Sequence, residues 1–81
     1  MNQTLTYLLT RSLNYNKIIT LVTKANQFES YILIEYENKK VNAKSILSTC
    51  ILQGFKGVIT IHAQGKDSNH AIEDLQKALI D

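Results

Sequence analysis

The spacing of apolar residues changes period several times along this 81-residue chain, and each change marks an element boundary. From Gln3 to Leu9 the pattern partly alternates, with Leu5, Tyr7 and Leu9 on one face, which predicts a strand ended by Thr10-Arg11-Ser12. Between Asn16 and Phe28 the apolar positions Ile18, Leu21, Val22 and Ala25 recur at helical spacing, with Asn14 or Asn16 as the cap. Tyr31 to Tyr36 is a dense β-branched and aromatic run. The polar pair Glu37-Asn38 then supplies a tight turn into a second short strand that ends near Asn42. Ser45 opens a compact apolar segment, Ile46 to Leu52, read as a short helix that is either wholly covered or partly exposed for a partner. A glycine-containing loop, Gln53 to Gly57, leads into a strand from Val58 to Gln64. Ile59, Ile61 and Ala63 lie on one face of that strand, and Val58, Thr60, His62 and Gln64 on the other. A final helix, capped by Asp67 or Ser68, carries the stripe Ala71, Ile72, Leu75, Ala78 and Leu79.

The order strand, helix, strand, strand, helix, strand, helix predicts an α+β fold. It is an open-faced two-layer sandwich, βαββαβα, with a four-stranded antiparallel sheet and three helices on one face. A chain of this length builds one modest core, so residues 1–81 are read as a single domain. With 44% hydrophobic and 20% charged residues the composition is that of a folded domain. The net charge of +2 is too small to argue for nucleic acid. Cys50 stands alone and forms no internal disulfide; it reads as a packed small hydrophobe or, if exposed, a thiol on the partner face. No leader-like or membrane-length apolar run is seen, and the expected location is the cytoplasm.

The stretch with the clearest chemical potential is Lys39-Lys40-Val41-Asn42-Ala43-Lys44-Ser45-Ile46-Leu47. A serine at a helix N-cap accepts a bond from a first-turn backbone N–H, and the remaining N–H groups and the helix dipole favour an anion there. A phosphate on Ser45 would occupy that favourable position, with Lys44 adjacent and Lys39 and Lys40 close in sequence. An ordinary capping serine explains the same residue.

These residues resemble the regulatory-serine region of the histidine-containing phosphocarrier (HPr) family of the bacterial sugar phosphotransferase system, which includes the catabolite-repression paralogue Crh. The likeness runs from Ile34-Glu35-Tyr36-Glu37-Asn38-Lys39-Lys40 through Val41-Asn42-Ala43-Lys44-Ser45-Ile46, and on through Gly57-Val58-Ile59-Thr60-Ile61-His62-Ala63-Gln64-Gly65 to the closing helix. It implies the same open-faced sandwich. In the family a Gly-x-His-Ala-Arg-Pro-Ala motif opens the first helix, and its histidine carries the phosphoryl group. This chain has Ser12-Leu13-Asn14-Tyr15-Asn16-Lys17-Ile18 in that register. Asn14 takes the histidine position, and an amide nitrogen conjugated to its carbonyl is no phosphoryl acceptor; Asn16 takes the position of the arginine that would steady the phosphate. His62, on the polar face of the last strand, and His70, on the solvent side of the last helix, are surface residues without metal-ligand spacing.

The resemblance implies phosphorylation at Ser45 by an ATP-dependent kinase/phosphorylase, and binding of the phospho-form to a CcpA-like transcriptional regulator through Ile46, Leu47, Lys44, Lys39 and Lys40. Ser48-Thr49-Cys50 departs from the methionine-bearing stretch that forms part of the family's contact face. The expected protein is a non-catalytic, Crh-like regulator in carbon catabolite control that needs no cofactor and no metal. It contacts neither membrane nor nucleic acid directly. The alternative is a diverged interaction domain without phosphorylation, working as a homodimer through its strand edges or its apolar short helix.

Overall fold

The computed structural model describes residues 1–80. Its elements follow the order β1 (Asn2–Leu9), α1 (Tyr15–Ala25), β2 (Tyr31–Tyr36), β3 (Lys39–Asn42), α2 (Ile46–Thr49) running into a 3-10 turn (Cys50–Leu52), β4 (Gly57–Gln64) and α3 (Ser68–Ile80). The four strands form one antiparallel sheet in the order β1-β4-β2-β3. The last strand in sequence thus lies between the first two long ones, with Ile61 opposite both Leu5 and Ile34.

Side-chain alternation explains why only one face is covered. Ile32, Ile34 and Tyr36 of β2 and Ile59, Ile61 and Ala63 of β4 point to the helices. They pack there with Ile18, Leu21, Val22 and Ala25 of α1, with Leu52, and with Ala71, Leu75, Ala78 and Leu79 of α3 in one apolar cluster. Each fully buried isoleucine or leucine contributes about 1.5–3 kcal/mol from removal of apolar surface. The other face carries Thr4, Thr6, Leu8, Glu35, Lys40, Thr60 and His62, and no element covers it among the described residues.

The β2–β3 hairpin closes on Glu37 and Asn38, both with positive φ (48° and 65°), the backbone sense that matches the twist of the two strands. Helix α1 stops at Ala25, short of the Phe28 limit that periodicity predicts. Asn26 ends it: its backbone N–H donates to the Val22 carbonyl at 3.0 Å, and its side-chain amide reaches the carbonyls of Val22 (2.8 Å) and Lys44 (3.0 Å). Phe28 still packs against the core, so it extends the apolar pattern without being helical.

At the start of α3, Asp67 stands in the cap position, yet its carboxylate is turned to another segment. It accepts from the backbone N–H groups of Glu29 (2.8 Å) and Ser30 (3.0 Å) and from the Ser30 hydroxyl (2.5 Å). The Ser68 hydroxyl, the other candidate cap, is buried without a partner among the described residues.

Candidate functional site at two helix N-termini

Ser45 is the N-cap of α2. Its backbone is extended (φ −106°, ψ 119°) and its hydroxyl oxygen accepts the Ser48 N–H at 3.2 Å. The sequence folds this way because β3 must stop before the helix begins. Asn42 makes the bend: its carbonyl accepts from the Ser45 N–H at 3.1 Å and from the Thr49 hydroxyl at 3.0 Å, and its side-chain oxygen accepts the Lys44 N–H at 3.0 Å. Thr49 is fully buried, so that hydroxyl bond pins α2 to the end of β3. Ser45 itself is half-buried.

The apolar residues beside it face water. Leu47 is 91% exposed and Ile51, four residues on, is 62% exposed; Ile46 and Leu52 turn progressively inward. Ile51 is not among the residues singled out from sequence, although its i+4 spacing from Leu47 puts both on one side of the helical turn. Cys50, in the same 3-10 turn, is a half-buried free thiol.

The three lysines do not gather around Ser45. The Lys44 ammonium donates to the Phe28 carbonyl at 2.6 Å, in the segment that follows α1. Lys39 and Lys40 are neighbours on β3 and so point to opposite faces of the sheet. The Lys39 ammonium lies 5.9 Å from the centre of the Tyr36 ring, whereas Lys40 is opposite Glu35 on the open face.

At the other N-terminus, Asn14 caps α1, its side-chain oxygen accepting the Lys17 N–H at 2.7 Å. Asn16, in the first turn, is exposed, and its carbonyl accepts the Thr20 hydroxyl at 3.0 Å. A cleft of about 390 Å³ opens here, lined by Tyr7, Arg11, Ser12, Asn14, Lys17 and Leu79 among others. The Lys17 ammonium crosses it to the Ala78 carbonyl near the end of α3, at 2.6 Å.

The histidines lie elsewhere. His62 Nε2 sits 2.8 Å from Glu35 Oε1 on the open face, a cross-strand pairing one strand apart that neither residue's own neighbours disclose. His70 is exposed on α3. Among the described residues no group of three or more His, Cys, Asp and Glu side chains could hold a metal, and no helix is long and apolar enough to cross a membrane.

The molecule is an open-faced βαββαβα sandwich in which α2 opens on the Ser45 cap, next to the C-terminal end of α1 and flanked by exposed leucine and isoleucine, while the Asn14 cap lies at the opposite end of α1. The chain belongs to the HPr family: residues 3–81 match the family described as "PTS HPr component phosphorylation site". Over 55 residues it is 44% identical to the HPr-like protein Crh of Bacillus subtilis (strain 168), an alignment that covers 67% of this chain and 65%, just under two thirds, of that protein. Its structure is similar to that of HPr-C-His from Thermoanaerobacter tengcongensis, with TM-score 0.88, 31% identity, and coverage of 96% of this chain and 91% of the other. Crh of Bacillus subtilis, solved as a domain-swapped, intertwined dimer, matches with TM-score 0.72 and 35% identity over 89% of this chain and 84% of that one. The protein is therefore an HPr-fold relative of the sugar phosphotransferase components, with the architecture that the apolar pattern predicts.

Proposed function

We propose that this protein is a non-catalytic, Crh-like regulatory module of the cytoplasm that carries its signal as phosphorylation of Ser45. The observation that carries the reading is the pairing at α2 and the turn after it of a half-buried N-cap hydroxyl with the exposed Leu47 and Ile51. A phosphate on that hydroxyl stands at unpaired first-turn N–H groups and borders an apolar patch, which is the chemistry of a phosphate-dependent docking face. The serine kinase/phosphorylase of the family and a CcpA-like regulator are the matching partners, with Ile46 and Leu47 as the contact. Lys44 serves the phosphate only by leaving the Phe28 carbonyl, and Lys39 and Lys40 act through the surrounding field.

Carrier activity is absent from the reading on chemical grounds. The Asn14 side-chain oxygen is engaged in the α1 cap and its amide nitrogen has no lone pair to offer a phosphoryl group. Asn16 brings no guanidinium to the same place.

The test is intact-mass spectrometry after incubation with the family's serine kinase and ATP, beside Ser45→Ala and an authentic HPr. One added phosphate on the wild type, absent from Ser45→Ala, is the expected result. No addition while the authentic HPr is modified in the same tube overturns the reading. The second reading, an interaction domain working as a homodimer without phosphorylation, draws support from the dimeric Crh relative and from the exposed apolar side chains of α2. Its test is the oligomeric state of the unmodified chain.

A further inference from the structure

We infer that Asn26 is a positioning residue for the reaction at Ser45: its side-chain amide fixes the peptide unit on which the serine stands, and so holds the hydroxyl in place for a kinase. The inference rests on the phosphorylation reading of Ser45 and adds to it a residue from a separate element.

Lys44 and Ser45 lie in a turn that is hydrogen-bonded largely within itself. The Asn42 side-chain oxygen accepts the Lys44 N–H at 3.0 Å, the Asn42 carbonyl accepts the Ser45 N–H at 3.1 Å, and the Ser45 carbonyl accepts the Thr49 N–H at 2.9 Å. Just before it, Ala43 is buried and donates its N–H to the Ile32 carbonyl at 2.9 Å. Two further bonds tie the turn to the end of α1 and the residues after it. The Lys44 carbonyl accepts from the Asn26 side-chain amide at 3.0 Å, and the Lys44 ammonium donates to the Phe28 carbonyl at 2.6 Å. The first of these acts on the peptide group that joins Lys44 to Ser45, whereas the second runs through a flexible four-carbon stem.

The Asn26 amide nitrogen carries two protons and meets two carbonyls, those of Val22 and Lys44. Only the nitrogen end of the side chain can occupy that place, because the amide oxygen would face two other acceptors. The residue therefore closes the last turn of α1 and holds the approach to α2 at once. It couples Ser45 to a helix whose buried face, Ile18, Leu21, Val22 and Ala25, belongs to the core. A serine on an anchored peptide loses less conformational freedom when an enzyme closes on it than one on a loose loop, and the difference appears in binding.

The test is steady-state phosphorylation of the full chain by the family's serine kinase and ATP, with amide hydrogen exchange measured on each unmodified variant. Asn26→Ala removes both side-chain bonds. Asn26→Ser keeps a single hydroxyl proton, which the Val22 carbonyl four residues back takes, and loses the bond to Lys44. Ile61→Val, a core substitution in β4, is the control for a general loss of stability. In both Asn26 variants kcat/KM is expected to fall about threefold through a rise in KM, with faster exchange at the Ser45 and Ser48 N–H groups. Ile61→Val is expected to keep the wild-type rate. A wild-type rate in Asn26→Ser overturns the inference and leaves phosphorylation standing. So does a fall that Ile61→Val shares, or a fall without faster exchange, which makes Asn26 a direct contact of the kinase. No phosphate on the wild-type chain, while an authentic HPr is modified beside it, overturns the phosphorylation reading and this inference with it.

Discussion

Asp67 illustrates how a single residue ties distant segments together. Three hydrogen bonds converge on its carboxylate, and the bond from the Ser30 hydroxyl, followed by that from the Glu29 N–H, holds its pKa below the ordinary value of 3.8. The sign follows from linkage: the folded state prefers the charged carboxylate more than the unfolded chain does, so the contribution to stability is complete above 3.8 and disappears as pH falls through the lower folded value. Asp67→Asn should therefore destabilise the protein at neutral pH and flatten its acid limb, and thermal unfolding followed from pH 7 downward checks this. Equal loss at neutral pH and at a pH below the folded value would contradict the assignment. Gly65 serves the same junction by being small: a Cβ there would lie 2.8 Å from the Ser30 Cα, at a φ of +149° that side chains rarely adopt. None of this is legible in the local sequence, where Asp67 reads as a helix cap; its partners come from a segment 37 and 38 residues away.

At the scale of elements, the caps decide where helices begin and thereby what they present. The Asn14 cap should be worth about 1 kcal/mol, so Asn14→Ala is expected to lower the melting temperature by roughly 4–8 °C for a domain of this size. Retention of the wild-type melting temperature would show that the Lys17 N–H finds water at no cost. Helix α2 makes the opposite case, because one of its principal apolar side chains does not support the fold. Leu47→Gln should leave stability within about 0.5 kcal/mol, as exposed positions do, while weakening capture of a phosphate-dependent regulator. Denaturant titration and a binding assay on the phosphorylated chain separate the two effects, and a large loss of stability would place Leu47 in the core. The pattern of Ile46 to Leu52 predicts a helix here but leaves open whether it is covered, since nearly every position is apolar. Burial had to be settled by what packs above α2, and only Leu52 and Thr49 are fully covered.

For the whole molecule, the sheet order leaves one face and two strand edges without a covering element among the described residues. The sheet order places β1 and β3 at the edges, and only there do the charge-free composition of β1 and the lysines of β3 acquire a meaning for association. The free row of backbone groups along β1 is a property of that order, because the same eight residues in the centre of a sheet would be paired on both sides.

Sequence alone determined the element types, their order and the core-facing stripes of β1, α1, β4 and α3. Period-2 and period-3.6 apolar spacing report local backbone geometry, and stripes of both kinds in one small chain are buried by packing helices on one face of a sheet. It also located both helix caps that frame the site, as Asn14 or Asn16 and as Ser45, since capping is chemistry within a few residues. The tertiary structure decided the rest: that Lys44 turns to the Phe28 carbonyl and Lys39 and Lys40 diverge, that His62 meets Glu35, that Asp67 clamps Ser30, and that Leu47 and Ile51 stay in water. Each of these depends on residues brought together from separate elements, and spacing along one chain carries no record of what lies across the sheet or beyond the next loop.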